Sequence, residues 1–269
     1  MNLKIIEANR RVHSSLLLSG EYQKSPHRSL ESVRRVQTVL SELHVNDQRP
    51  SHLDIGCGDG FIFECVPKHW NRHGIDATPE MLQACALNHP EVKLQLGLAE
   101  KLPFNDSSFD IVTCYSFLDH LESTERFYAE AMRILKPGGA FYFGLSPNRG
   151  FYVGLMSARN CKLSKALIEQ VDLPLEFHKA FDDGSYYEAS FGIDKKDLIL
   201  CEPGKSITNG LEPYDERSKL ESLNASKVEI NYEWIFQQNK LGADKVKNLI
   251  DFLPFTSACF KYFDLTGIK

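Results

Sequence analysis

The sequence predicts an α/β protein built on a doubly wound, mostly parallel sheet with helices on both faces. Three observations predict it. Short apolar runs alternate with stretches of helical periodicity from about residue 29 to 146, the pattern of strand–helix–strand units. A glycine-rich turn, LDIGCGDG at 53–60, joins the first such run to the helix after it. The run FDIVTCY at 109–115 is almost wholly apolar, as a strand covered on both faces must be.

The elements follow in order. Residues 1–28 are mixed, with an apolar knot at Leu16, Leu17 and Leu18. From Ser29 to Leu43 the residues Leu30, Val33, Val36, Leu40 and Leu43 recur on one helical face, and Asn46, Asp47, Arg49 and Pro50 end it. Residues 52–55 read as the first strand and 61–66 as a short helix stopped near Pro67. Residues 72–76 read as a second strand. Thr78 can cap the next helix, Pro79 suits its first position and Glu80 meets its positive end. Residues 92–96 alternate as a third strand, and 109–115 form the fourth. Phe127, Ala131, Ile134 and Leu135 form a helical stripe. Pro137-Gly138-Gly139 turns the chain into a fifth strand at 140–145. Beyond 146 the alternation fails. A helix is expected at 162–170, then a turn-rich tract at 182–210, a sixth strand at 229–236, a helix at 245–252 and a last strand at 262–268.

With 269 residues, 42% of them hydrophobic and 25% charged, the chain can bury a substantial single-domain core. Its 31 basic and 36 acidic residues leave a net charge of -5, which supplies no general basic field for nucleic acid. Seven scattered cysteines without a CxxC argue against a disulfide framework and against a zinc site, so no metal is expected. A reducing, cytoplasmic setting is the simplest expectation. The first twenty residues lack signal-peptide order, and no apolar run approaches bilayer length.

The glycine turn sets the chemistry. Glycines at 56, 58 and 60 allow positive φ and close approach of a ligand to the backbone. Free amides of the turn and helix start are expected to face that ligand. Asp76 follows Gly56 by 20 residues at the end of the second strand, where a carboxylate accepts from ribose hydroxyls. A ribonucleoside cofactor is therefore implied. The spacing G-x-G-x-G, with Phe61 next, disfavours the G-x-G-x-x-G of nicotinamide and flavin dinucleotides.

Four stretches in this order, LDIGCGDG, GIDATPEML, GLAEKLPFNDSSFDIVTC and RILKPGGAFYF, resemble the class I S-adenosylmethionine (SAM)-dependent methyltransferases of the small-molecule type. The resemblance covers about residues 50–146. It implies a Rossmann-like sheet of seven strands, the last antiparallel, in one domain. Residues 1–45 would be an N-terminal helical lid, 46–146 the SAM-binding core, 147–225 a substrate-side insertion, and 226–269 the strands and helix completing the sheet. It implies SAM as cofactor and S-adenosylhomocysteine as product. Asp54 with Gly56, Cys57, Gly58 and Gly60 would hold the amino-acid end. Asp76 would bind the ribose, Ala77 would line the adenine pocket, and Leu98, Ala99 and Glu100 would lie along the adenine edge. Tyr115 would approach the methionine or the transferring methyl. His120 falls where many relatives carry histidine. Relatives commonly have Asp at the position of Leu98, so the adenine contact here would come from backbone groups or Glu100.

Methyl transfer from a sulfonium is an in-line displacement, and much of the task is alignment in a dry pocket. A hydroxyl or ammonium acceptor benefits from a general base, and His120 and His178 are the candidates. The Cys57 and Cys114 thiols read as core filler rather than nucleophiles. The segments 9–28 and 147–210 are expected to supply acceptor contacts and a lid, with Tyr22 closing over the cofactor. A small-molecule acceptor methylated at oxygen or nitrogen leads. A protein acceptor, a SAM-binding regulatory or partner protein without catalysis, and an NAD oxidoreductase are the alternatives. YSFLDH after the fourth strand, in place of an N-P-P-Y-type motif, argues against methylation of nucleic-acid amines.

Overall fold

The computed structural model describes residues 2–43, 47–151, 153, 185–205, 210–233 and 260–269. Its centre is a seven-stranded sheet of β1 (Ser51–Ile55), β2 (Asn71–Asp76), β3 (Lys93–Leu96), β4 (Phe109–Tyr115), β5 (Leu135–Pro147), β6 (Ser226–Glu233) and β7 (Tyr262–Ile268), in the spatial order 3-2-1-4-5-7-6. β1 to β5 pair in parallel, and β7 inserts antiparallel between β5 and β6, as the resemblance implies. The order reverses between β1 and β4, whose C-terminal ends open the crevice where such sheets bind ligands.

Helices cover both faces. On one lie α3 (Leu30–Glu42), α4 (Phe61–Cys65) and α5 (Pro79–Asn88), which send Val36, Leu40, Phe61, Ile62, Phe63 and Cys85 into one cluster. On the other, α6 (Thr124–Ile134) and α9 (Pro213–Ser222) bury Phe127, Tyr128, Ala131, Ile134 and Leu220. The two-residue period of β5 divides its aromatics: Phe141 and Phe143 join the α6 cluster and Tyr142 joins the α3 cluster. Each such ring contributes about 2–3 kcal/mol by leaving water. Cys57, Cys65, Cys85 and Cys114 are buried free thiols.

The N-terminal segment, mixed in sequence, forms α1 (Leu3–Leu18), the short α2 (Glu21–Lys24) and a 3₁₀ turn at Pro26–Arg28. The tract expected to be turn-rich folds in part as α7 (Ser185–Phe191) and α8 (Lys195–Cys201). The reason is tertiary: α8 packs on α1, where Ala8, Val12, Ile193 and Cys201 bury one another. Arg11 of α1 and Asp197 of α8 add paired hydrogen bonds of 2.6 Å.

Other differences are local. Thr78 occupies the cap position of α5, but its hydroxyl makes no capping bond; Asp76 Oδ1 accepts the Thr78 N–H at 2.8 Å instead. Leu30, the first residue of α3, is exposed rather than on the buried stripe. β6 begins three residues early, at Ser226, through an irregularity before Glu229 with Lys227 at positive φ. The Pro137-Gly138-Gly139 turn survives as a bulge inside β5, with Gly138 at φ +77°. The helices expected at 162–170 and 245–252 lie outside the described residues. Among the described residues no helix is long and apolar enough to cross a membrane.

Candidate functional site at the carboxyl ends of the central strands

The glycine turn is built differently from the expectation that its amides are free. The Ile75 carbonyl accepts the N–H groups of Gly56 (2.8 Å) and Cys57 (3.1 Å), and the Cys57 carbonyl accepts Gly60 N–H at 3.0 Å. Gly58 N–H goes to Asp76 Oδ2, also at 3.0 Å. The turn therefore spends these donors on holding itself against β2. α4 is a single turn of helix, too short for a developed dipole. Gly56 and Gly60 need glycine most, Gly60 with φ +104° and the His89 ring 2.5 Å from an added Cβ, whereas Gly58 is set apart by the space beside it. A Cβ on Gly56 (φ +70°) would lie 2.2 Å from the Phe117 ring. On Gly58 (φ +53°) it would meet nothing within 4 Å, so Gly58 borders open space beside Asp76. Cys57 turns its side chain inward toward Cys85. The Asp59 carboxylate, buried beside the turn, is paired with Arg28, whose guanidinium also lies over Phe61 and 3.6 Å from Glu64.

Asp76 borders this space, and Asp54, buried in β1, lies within reach of its charge. Asp76 accepts Gly58 N–H on one oxygen and Thr78 N–H on the other, the Thr78 hydroxyl also bonds to it, and of about four acceptor sites one is left for a further hydroxyl donor. Burial raises its pKa, and the two N–H bonds oppose that. Asp54 is 2% exposed at the end of β1. Burial pushes its carboxyl up to about 8, partly opposed by the Thr113 hydroxyl bond and reinforced by the Asp76 charge. Thr113 donates to Asp54 Oδ1 at 2.7 Å, so its single proton is spent. His52 Nε2, 2.8 Å from the same hydroxyl, must then be the donor to it. That fits a His52 held neutral by burial, with its pKa lowered to about 3. A buried carboxyl such as Asp54 is primed to ionise when a cation arrives.

The edge expected to meet adenine is present as a unit. Gly97 N–H bonds to Asp76 O at 3.0 Å, and Leu98 bridges to Lys101. Leu98, Ala99 and Glu100 are half-buried, and one Glu100 oxygen accepts Ser123 N–H at 3.2 Å. The Ala77 carbonyl accepts Arg10 Nε at 2.7 Å, which fastens α1 across the β2–α5 loop.

Across the space stands a group that sequence reasoning only partly foresaw. His120 lies on a 3₁₀ turn, Leu118–His120, after β4. Its ring meets His13 of α1 edge-on at 4.7 Å and Phe117 at 6.5 Å. His13 Nδ1 hydrogen-bonds the Tyr22 hydroxyl. Burial raises the Tyr22 pKa, and the charges of Asp76, Asp59 and Glu202 raise it further, which puts this phenol among the site's carboxylates. His120 Nδ1 is 2.8 Å from the Cys201 carbonyl. His120, Cys201 and Glu202 offer ligand-type atoms within 4.8 Å of one another. Hydrogen bonds already engage the imidazole Nδ1 and the thiol, the latter donating to Leu198 O at 3.2 Å. No motif announced His13, Cys201 or Glu202, because they reach the site from α1 and α8 by packing.

Tyr115 is placed toward the α3 face. Its hydroxyl accepts Arg35 at 2.8 Å and its ring packs on Phe61 at 4.8 Å. Arg35 also binds Asp264 (3.2 Å), a buried carboxyl pushed up to about 6 that further accepts Tyr142 and Leu145 N–H. Tyr115 is thus tied to a polar network beside the site. His178 lies outside the described residues.

Sheet order, a glycine turn closed onto β2 and an acidic β2 end place the protein in the doubly wound α/β class. Comparison with known proteins then narrows it. Residues 53–143 match the family described as a methyltransferase domain. The chain is 36% identical over 102 residues to the uncharacterized methyltransferase YcgJ of Bacillus subtilis, covering 33% of this chain and 38% of that protein. It is 32% identical over 105 residues to a ubiquinone biosynthesis O-methyltransferase of Coxiella burnetii, covering 37% and 44%. The match thus spans less than half the length of these two relatives. A SAM-dependent methyltransferase structure from Archaeoglobus fulgidus superposes with a TM-score of 0.58 at 17% identity, over 94% of this chain and 99% of that one, a likeness of fold. The likeness to a methyltransferase domain thus lies in residues 53–143, the stretch that carries most of β1, the glycine turn, Asp76 and β4.

Proposed function

We propose that the protein transfers a methyl group from SAM to a small-molecule acceptor at oxygen or nitrogen. The observation that carries this is the Asp76–Gly58 closure: a carboxylate with acceptor capacity left over, bonded to a turn residue whose missing side chain leaves open space. When bound, SAM supplies a methyl carbon on a sulfonium, which the acceptor takes while the C–S electron pair stays on sulfur. Asp76 accepts from the ribose hydroxyls. Asp54, as carboxylate, meets the cationic amino-acid end. Arg10 and the His13–Tyr22 pair hold α1 over the cofactor side and exclude water. His120 Nε2 takes the proton that an acceptor hydroxyl or ammonium must lose. The Coxiella relative, named for an O-methylation in ubiquinone biosynthesis, supports a small acceptor. The buried free thiols suit a reducing cytoplasm.

Titration calorimetry with SAM, S-adenosylhomocysteine and NAD tests the donor. Binding of the first two without NAD is expected; NAD binding without SAM overturns the proposal. Turnover across hydroxyl and amine acceptors then tests catalysis. A second reading, a SAM-binding partner protein, is favoured by Leu98, which puts an apolar side chain on the adenine edge; SAM binding without turnover of any acceptor would support it.

A further inference from the structure

We propose that the end of α8 and the 3₁₀ turn after it form a clamp that fixes the tautomer of His120, with Cys201 and Gly204 as positioning residues. The inference deepens the reading of His120 as the proton acceptor and rests on it for its purpose, though not for its geometry.

Two contacts make the clamp, and a third group, Asp119, waits for the charged ring. The Cys201 carbonyl lies 2.8 Å from His120 Nδ1. A carbonyl can only accept, so the neutral imidazole carries its proton on Nδ1 and its lone pair on Nε2. A neutral imidazole in water modestly prefers the opposite tautomer, so the contact selects the form with a basic Nε2. Second, the turn Pro203–Lys205 sits against the turn Leu118–His120 with no room for a side chain at Gly204. A Cβ there would lie 2.8 Å from Asp119 Cα and 3.2 Å from Asp119 O. These are backbone atoms and cannot swing aside. Gly204 has no positive-φ requirement to explain it, so close approach is its reason for being glycine. Third, Asp119 Oδ1 is buried with no hydrogen-bond partner and lies 4.0 Å from His120 Nε2. A buried carboxyl oxygen left unpartnered is costly unless something uses it.

The proton balance joins the three. The acceptor's O–H or N–H bond breaks as its bond to the methyl carbon forms, and the proton passes to Nε2. The resulting imidazolium keeps its Nδ1–H on the Cys201 carbonyl, and the Asp119 carboxylate beside Nε2 offsets its charge. Because α8 brings Cys201 into place by packing on α1, the base is set only while the α1–α8 cover is seated.

The test is a long-range ¹H–¹⁵N correlation spectrum of the full chain labelled at histidine, at a pH where the rings are neutral. His120 is assigned by the signal lost in His120→Gln. Wild type is expected to show the Nδ1–H tautomer, and an Nε2–H signature overturns the proposal. Gly204→Val lifts the turn and should convert His120 largely to Nε2–H or an averaged signal, while the SAM dissociation constant stays within about twofold. Gly204→Ala, a smaller intrusion, carries the same test if the valine variant does not fold. An Nδ1–H signature retained in a folded Gly204 variant also overturns the clamp. Failure of the methyltransferase reading appears separately, as absence of SAM binding to wild type in calorimetry.

Discussion

Replacing Asp54 with asparagine should stabilise the ligand-free protein and weaken SAM binding, and the size of the first effect follows from the site. The carboxyl titrates at about 8 in the fold, against 3.8 as the ordinary value. The folded state therefore holds a proton that the unfolded chain has released, and stability from this group falls as pH rises between those values. The fall is about 1.4 kcal/mol per pH unit. Asp264, pushed up to about 6, adds its own fall at lower pH, so the window from pH 6.5 to 8 belongs chiefly to Asp54. Across it wild type should lose about 2 kcal/mol from this carboxyl. The substituted asparagine would still accept from Thr113 through its amide oxygen but would carry no titrating proton. Its new amide hydrogens cost about 1–3 kcal/mol if unpartnered, a constant offset that does not change with pH. Urea unfolding of both proteins at half-unit steps measures the difference. The advantage of Asp54→Asn should grow by about 2 kcal/mol from pH 6.5 to 8. Parallel stability curves would refute the reasoning.

The same protonation should make SAM binding to wild type weaken by up to tenfold for each pH unit below 8, read by calorimetry, because a bound cation requires the carboxylate. Asp76→Ala should weaken SAM binding by about 1–3 kcal/mol and also expose the Gly58 and Thr78 amides; unchanged affinity removes Asp76 from the site. Gly56→Ala should cost about 3 kcal/mol in a thermal or urea melt, from positive φ plus collision with Phe117. Gly58→Ala should cost only about 1 kcal/mol of stability yet impair SAM binding, because its Cβ enters the open space. Arg28→Ala leaves the buried Asp59 carboxylate without its guanidinium and should destabilise by about 3 kcal/mol in the same melts.

The strands at Phe109–Tyr115 and Tyr262–Ile268 were legible to the residue, because their apolar runs and flanking turns are local signals. The glycine turn and Asp76 were legible for the same reason, since 20 residues of strand–helix–strand put a carboxylate beside the turn. The state of the turn's amides was not legible. Whether Gly56 and Cys57 donate to a ligand or to Ile75 depends on how closely β1 and β2 pair. The helices α7 and α8 lay in a tract whose turn residues outweigh any periodicity, and burial against α1 overrides that propensity.

The division has one physical cause. The sequence by itself determined the strand–helix alternation and the placing of the glycine turn beside Asp76, because each is written within a few turns of chain. Only the tertiary structure decided the environment of each group. It buried Asp54 beneath the turn, paired Arg28 with Asp59 and tied Tyr115 to Arg35. It also set His120 against a carbonyl 81 positions further along the chain. Protonation and tautomer are properties of surroundings, and surroundings are assembled from residues that no local pattern relates.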